Sequence, residues 1–359
     1  MMNVVIPESL ESALATAVGQ CEHDRIFILV DETTCRVCLP LVEQYPFLKG
    51  AEVITIGATD QNKTLESVTH VWDELGRMGG TRHSLLINLG GGMVTDLGGF
   101  AASTFKRGIN YINVPTTLLA MVDASVGGKT GFNFRGLKNE IGVFSDASTV
   151  ILFTQFLQTM DHENLLSGYA EMLKHGLISR GDAMWSEILN YDIDSPDLWQ
   201  LQRMVADSVA VKQRIVDQDP TEQGIRKALN LGHTIGHAFE SFAMKGGGDP
   251  GPHSSLIHPI LHGYAVAYGL VCELYLSVVK TGFPVDKMRQ TVSFIREYYG
   301  RMAITCDDYP VLLELMTHDK KNTAGAINFT LLADIGDVRI NQTATRQEIE
   351  EALDFYREG

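Results

Sequence analysis

His233 and His237 stand four residues apart in the stretch Arg226-Lys-Ala-Leu-Asn-Leu-Gly-His-Thr-Ile-Gly-His-Ala-Phe-Glu240. A helix there presents both imidazoles on one face, one turn apart. Leu229, Leu231, Ile235, Ala238 and Phe239 give that helix a side to bury, and Arg226, Lys227 and Asn230 lie one to two turns before the first histidine. Paired imidazoles at this spacing form a platform for a divalent ion, and neutral imidazole suits zinc. The pair lacks the Glu of the H-E-x-x-H pattern, so two helix histidines satisfying local hydrogen bonds explain it equally well.

Three further stretches carry chemical types. Gly90-Gly91-Gly92 follows an apolar run, Ser84 to Leu89, and precedes a small-residue helical pattern from Met93 to Thr104. Strand, glycines and helix together can hold a pyrophosphate, because backbone N–H groups approach it and the helix start is partly positive. Thr95 spoils the G-x-G-x-x-G match, so a tight turn before a closely packed helix is the competing account, and Asp96 suits either. Val126-Gly-Gly-Lys-Thr130 imitates the tail of a P-loop, but Asp123 stands where that motif needs glycine and no strand leads into it. ATP or GTP hydrolysis is therefore disfavoured, although Lys129 still reads as a cation presented to a ligand. Cys35 and Cys38 make a single C-x-x-C with no second pair, which points to a reduced helix face over a redox or zinc role.

The elements that must position these groups fall into two textures. Residues 26–30, 51–57, 84–89 and 111–114 read as short buried strands, with an amphipathic helix over 64–75 and a closely packed small-residue helix over 93–104. Alternation of this kind predicts an α/β domain with a Rossmann-like parallel sheet. From about residue 155 the pattern turns helical, over 156–176, 198–216, 226–242, 261–281 and 284–299, with strand signals only at 327–332 and 338–340. The expected organisation is residues 1–155 as the α/β domain and 156–359 as a mainly α-helical domain. Gly246 to Pro252 reads as a loop interrupting the helical part.

The 359 residues carry a net charge of −15 and are 45% hydrophobic. Real cores follow from that apolar fraction, and an acidic chain repels phosphate backbones, so no nucleic-acid partner is expected. An anionic small molecule would need basic residues gathered locally. The N-terminal stretch lacks a signal-peptide pattern, and no uninterrupted apolar run suffices to span a bilayer, so no membrane association and a cytoplasmic location are expected. Five cysteines make no disulfide framework.

Gly90-Gly-Gly-Met-Val-Thr-Asp-Leu-Gly-Gly99, Val114-Pro-Thr-Thr117, Asp123-Ala-Ser-Val-Gly-Gly-Lys-Thr-Gly131, Lys138-Asn139, Gly168-Tyr-Ala-Glu-Met-Leu-Lys-His-Gly176, Asn230 to His237, His262-Gly263 and Asp319-Lys-Lys321 occur in this order. Over nearly its whole length the chain resembles the 3-dehydroquinate synthases, within the sugar-phosphate cyclases. The resemblance implies an NAD- and metal-dependent lyase of the shikimate pathway. It would convert 3-deoxy-D-arabino-heptulosonate 7-phosphate to 3-dehydroquinate and phosphate through transient oxidation, phosphate elimination, re-reduction and intramolecular aldol closure. Zn2+ or Co2+ would be held by Glu171, His233 and His262, which moves His237 to the substrate. Lys129, Lys174, Lys212, Arg226, Asn230, His237, Asp123, Arg107 and Lys320 would serve substrate and catalysis. Asp31, Lys63, Gly91, Gly92, Asp96, Thr116, Thr117, Lys138 and Asn139 would hold NAD. A homodimer is implied as well.

The chain departs from the family pattern at Asp60, Asn164 and Tyr264, each where Glu is common, and Glu163 adjoins Asn164. The segment between His237 and His262 is longer than usual and adds His253 and His258. His258 thus competes with His262 as third ligand, and His-Gly before an apolar helix favours His262. Three other readings compete: a sister cyclase making a different cyclitol, a metal-dependent polyol dehydrogenase, and a non-catalytic binding protein, which would be expected to have lost a ligand or a lysine. Lys212, Arg226 and Asn230 favour the dehydroquinate reaction, and a dehydrogenase has little use for so many cations.

Overall fold

The computed structural model describes residues 3–135, 137–244, 260–317 and 327–359. The chain divides into two compact units, Met1–Asp161 with Asp197–Val209, and His162–Pro196 with Ala210–Gly359. The long helix Leu198–Gln218 contributes to both.

In the first unit the strands are β1 (Val4–Val5), β2 (Ile26–Asp31), β3 (Glu52–Ile56), β4 (Leu85–Gly90), β5 (Asn110–Pro115), β6 (Lys129–Phe134), β7 (Leu137–Phe144) and β8 (Thr149–Ile151). Six of them form a parallel sheet in the order β1-β8-β5-β4-β2-β3. The central strands are the apolar runs of the sequence: Phe27, Leu29, Val30, Leu85, Leu86 and Ile87 are all essentially inaccessible. Burial on both faces is what such runs predict, and each of these side chains stabilises the sheet by about 1.5–3 kcal/mol.

Five helices belong to this sheet: α1 (Leu10–Gln20), α2 (Glu32–Val37), α3 (Leu39–Val42), α4 (Leu65–Arg77) and α5 (Gly92–Thr104). The small residues of α5 have a steric reason. A β-carbon on Gly98 would lie 2.0 Å from Asn88 Oδ1 and 2.7 Å from Leu29 Cδ2, so only glycine lets this helix rest on β4 and β2. Below it, Asn88 donates to Asn113 Oδ1 at 2.8 Å inside the sheet. β6 and β7 form a separate antiparallel hairpin with Gly131 opposite Gly142, and every described residue of β7 is exposed. The sequence reading has no strands here.

The second unit contains α6 (His162–Ile178), α7 (Ala183–Asn190), the later turns of α8 (Leu198–Gln218), α9 (His233–Met244), α10 (His262–Thr281), α11 (Val285–Tyr299), α12 (Tyr309–Thr317) and α13 (Arg346–Glu358). A hairpin of β9 (Asn328–Asp334) and β10 (Asp337–Thr343) completes it. α10 is its axis, packed by α6, α9, α11, α13 and β9. By length and composition alone α10 could cross a membrane, but 78% of its apolar window is buried inside the protein.

One predicted helix is corrected. The pattern over 226–242 suggests a continuous helix, whereas the chain forms a 3-10 turn over Ile225–Asn230 and starts α9 only at His233. Gly232 causes the break. Its φ of +79° is left-handed, and a β-carbon there would meet Leu270 Cγ at 2.8 Å. Arg226 and Asn230 therefore sit on a separate turn, not on the histidine helix.

Candidate functional site

Three helices of the second unit converge on one carboxylate. Glu171 lies in the third turn of α6 and is fully buried. His233, the first residue of α9, brings Nε2 to 3.3 Å from Glu171 Oε1, and His262, the first residue of α10, brings its Nε2 to 3.6 Å from the same oxygen. Donor atoms of the three residues all lie within 4.8 Å of one another.

The helices reach this arrangement through backbone contact. A β-carbon on Gly263 would stand 1.9 Å from Ser167 O, and the Gly263 amide donates to Ser167 Oγ at 3.1 Å, locking α10 to α6 beside His262. A β-carbon on Gly269 would stand 1.9 Å from Gly232 O, and one on Gly236 2.8 Å from Ala265 O, which brings α9 and α10 equally close. In a helical unit such contacts fix the ligand atoms to the main chain with little slack.

The proton positions follow from the acceptors. His233 Nδ1 lies 3.0 Å from the Leu231 carbonyl oxygen, which can only accept, so Nδ1 carries the hydrogen and Nε2 keeps its lone pair. His262 Nδ1 faces Glu240 Oε2 at 3.5 Å, which orients the ring. Both Nε2 atoms point toward Glu171, whose oxygens are buried without a hydrogen bond of regular geometry. A carboxylate and two imidazoles of this kind, each imidazole oriented by an outer acceptor, fit a catalytic zinc with open positions. His237, Glu240 and His262 form a second possible donor group. It shares His262, but it uses the atom pair that already orients His262 Nδ1, so the Glu171 group is the better fit.

The Lys174 ammonium, one turn along α6 and 1% exposed, is in contact with Glu171 Oε2. Burial opposes ionisation of Glu171, but Lys174 and then His233 and His262 outweigh it and hold the carboxyl well below its usual range. For His262, burial acts to lower the pKa, whereas Glu171 and Glu240 raise it from 6.5 to about 10.

Other residues predicted for the substrate surround this centre unequally. The His237 ring lies 5.3 Å from that of His233 and 6.0 Å from that of His262, centroid to centroid. Arg226 is 3% exposed on the 3-10 turn, which packs on α6, and its Nη1 donates to Pro220 O. Asn230 donates to Glu222 Oε1 at 2.9 Å. Lys212 is buried on α8.

In the first unit, Gly91 and Gly92 start α5 directly after β4, the strand–turn–helix read from the sequence. Thr116 donates its amide to Gly90 O at 3.0 Å, and a β-carbon on Gly91 would lie 3.1 Å from Thr117 Cγ2. Asp31 caps α2, with Oδ1 accepting from the amides of Thr33 and Thr34. Lys63 is buried and donates to Asp96 Oδ2 at 2.6 Å and Asn139 Oδ1 at 2.5 Å. Lys138 lies 3.7 Å from Asp60, on the exposed hairpin. The structure thus joins Lys63, Asp96 and Asn139 directly, and leaves Asp31 at the end of a neighbouring strand. Asp123 sits in a π-helical turn over Ala120–Ala124, and Lys129 opens β6. A strand follows Gly127-Gly128 where a P-loop has a helix. Arg107 is exposed, with φ +73°.

Lys320, its neighbour Lys321, His253, His258 and the loop 246–252 lie outside the described residues. Cys35 and Cys38 are unpaired thiols, and burial, then Asp31, pushes Cys38 up to about 11, which removes the thiolate a redox pair needs. Sequence reasoning missed Glu240 although it closes the histidine stretch. Its distance of seven residues from His233, two helical turns, is the signal that could have found it.

Family models described as 3-dehydroquinate synthase N-terminal and C-terminal match residues 53–167 and 168–322. A 3-dehydroquinate synthase of Parabacteroides distasonis is 53% identical over 356 residues, covering 99% of this chain and 98% of that one. One from Pyrococcus furiosus is 38% identical over 347 residues, covering 95% and 96%. Among solved structures, 2-epi-5-epi-valiolone synthase from Streptomyces hygroscopicus, with NAD+ and Zn2+ bound, has a TM-score of 0.84 at 25% identity over 100% of this chain and 97% of that one. A 2-deoxy-scyllo-inosose synthase has a TM-score of 0.82 at 23% identity, covering 99% and 96%, which shows the shared fold.

Proposed function

Because the chain belongs to the 3-dehydroquinate synthase family, we propose that it converts 3-deoxy-D-arabino-heptulosonate 7-phosphate to 3-dehydroquinate, eliminating phosphate. The observation that carries the metal-dependent part of this reading is Glu171, buried without a regular hydrogen bond between the Nε2 atoms of His233 and His262. Bound NAD would accept and return a hydride and a bound zinc or cobalt ion would acidify a substrate hydroxyl, in line with the NAD+ and Zn2+ of the valiolone synthase structure.

The chain's own residues supply the rest. Glu171, His233 and His262 hold the ion. Lys174, in contact with Glu171, offers its Nζ to developing negative charge, and Lys212, Arg226 and Asn230 add donors for an anionic substrate. His237, beside both ligand imidazoles, holds or moves a proton on a substrate oxygen. Arg107, Asp123, Lys129 and Lys320 are assigned to substrate on the resemblance. The 1–155 segment, through Gly91, Gly92, Thr116, Thr117 and the Lys63–Asp96–Asn139 group, with Asp31 and Lys138, is assigned to NAD, and 156–359 to metal and substrate. A homodimer and a cytoplasmic location are further parts of the proposal.

A phosphate-release assay tests it. Stoichiometric phosphate from the heptulosonate phosphate, no net NADH, and loss of turnover on chelation are expected. Faster release from sedoheptulose 7-phosphate would favour a sister cyclase, and accumulating NADH a polyol dehydrogenase.

A further inference from the structure

Glu273 is a fully buried carboxylate in the long, largely buried helix α10, eleven residues beyond His262. Its carboxylate accepts from the amides of Gly232 at 2.6 Å, Thr234 at 3.0 Å and Ile235 at 3.1 Å. These belong to the N–H groups that a helix start leaves without intrahelical partners, here the start of α9. Negative charge at that end also meets the positive pole of the helix. His233 stands between two of the held amides, and its ring is tied again through Nδ1 to Leu231 O. Only two side-chain torsions separate its Nε2 from the clamped backbone.

We infer that Glu273 is a positioning residue: it seats the first turn of α9 on α10 and so aims His233 Nε2 at the point shared with Glu171 and His262. The inference rests on the reading of those three residues as metal ligands. The glycine contacts set how closely the two helices approach, but they give the first-turn amides of α9 no acceptor. The carboxylate supplies it and holds three amides at once.

Glu273→Gln keeps the side-chain size but turns one acceptor into a donor that faces an N–H. Zinc affinity of the purified full chain, read by competition with a chromophoric chelator, is expected to fall about tenfold to a hundredfold. The visible spectrum of the Co2+-loaded chain, which reports ligand geometry, is expected to shift. Glu273→Asp keeps the charge but is one methylene short, so a smaller loss is expected, and it carries the test if the glutamine variant does not fold. Leu353→Ala removes a buried side chain of α13 and no group bonded to the α9 start. It is expected to lose stability yet keep zinc affinity and spectrum.

Wild-type zinc affinity and cobalt spectrum in the Glu273 variants, with metal lost in His233→Ala, overturn the positioning role alone. An equal loss of affinity in Leu353→Ala, at matched loss of Tm, also overturns it. Undiminished metal binding in His233→Ala removes the ligand reading and this inference with it.

Discussion

Each unit buries a lysine against a carboxylate, and the two pairs are built for different ends. In the first, Lys63 reaches Asp96 at 2.6 Å and Asn139 at 2.5 Å, so two acceptors from distant parts of the chain share its protons. Asp96 stays partly exposed, at 17%. In the second, Lys174 meets Glu171, neither more than 1% exposed, and the carboxylate is shared with two imidazoles that cannot all be satisfied by it. The first pair pins the hairpin to α5. The second leaves oxygens and nitrogens pointing into one small volume, an arrangement costly unless something positive fills it.

Substitutions in the two pairs should separate these roles. The largest effect is expected from Glu171→Gln, which removes the charge on which the three helices converge. Metal affinity should fall by more than about a hundredfold and phosphate release by about a thousandfold. Retained zinc after gel filtration would break the contrast at once.

Next come the lysines. Lys63→Met removes the buried donor that Asp96 and Asn139 share and should destabilise the chain by about 3 kcal/mol, read as a lowered urea midpoint. Lys174→Met, in zinc-saturated protein, should cost turnover by about a hundredfold while shifting the midpoint less. If the Lys174 variant is the more destabilised under zinc saturation, the two pairs are equivalent and the comparison fails.

The smallest effect is pH dependence at the second pair. His262 is raised from 6.5 to about 10, so its proton stabilises the metal-free fold fully below pH 6.5 and that contribution is lost as pH rises toward 10. A metal ion must displace the same proton, so resistance to chelators should grow with pH across this window. Chelation rates that do not change between pH 6.5 and 9 would remove the coupling, and His262→Gln should flatten the dependence.

The central strands were legible because burial on both faces leaves mostly apolar residues, as in Ile26–Asp31 and Leu85–Gly90, with Asn88 paired to Asn113 as the buried exception. The helix after Gly92 was legible from its small residues, which Gly98 and Asn88 explain sterically. The β6–β7 hairpin was not, because Gly131, Asn133, Lys138, Asn139 and Gly142 are poor strand formers and β7 buries no face that would impose alternation. The break at Gly232 was hidden by an unbroken helical period on either side. Glu171, His233 and His262 lie far apart in sequence, and their assignment came from ordered motifs; spacing alone suggested His233 with His237. Glu240 and Glu273 carried a weaker signal, an acidic residue inside an apolar helical period, which is rare without a buried partner.

The seating of α9 also sets which amides can open. The hydrogens of Gly232, Thr234 and Ile235 point at a buried carboxylate, whereas ordinary first-turn amides face solvent and take up deuterium early. In this chain the start of the histidine helix should be among the last places to label, releasing its protons only when the second unit unfolds as a whole.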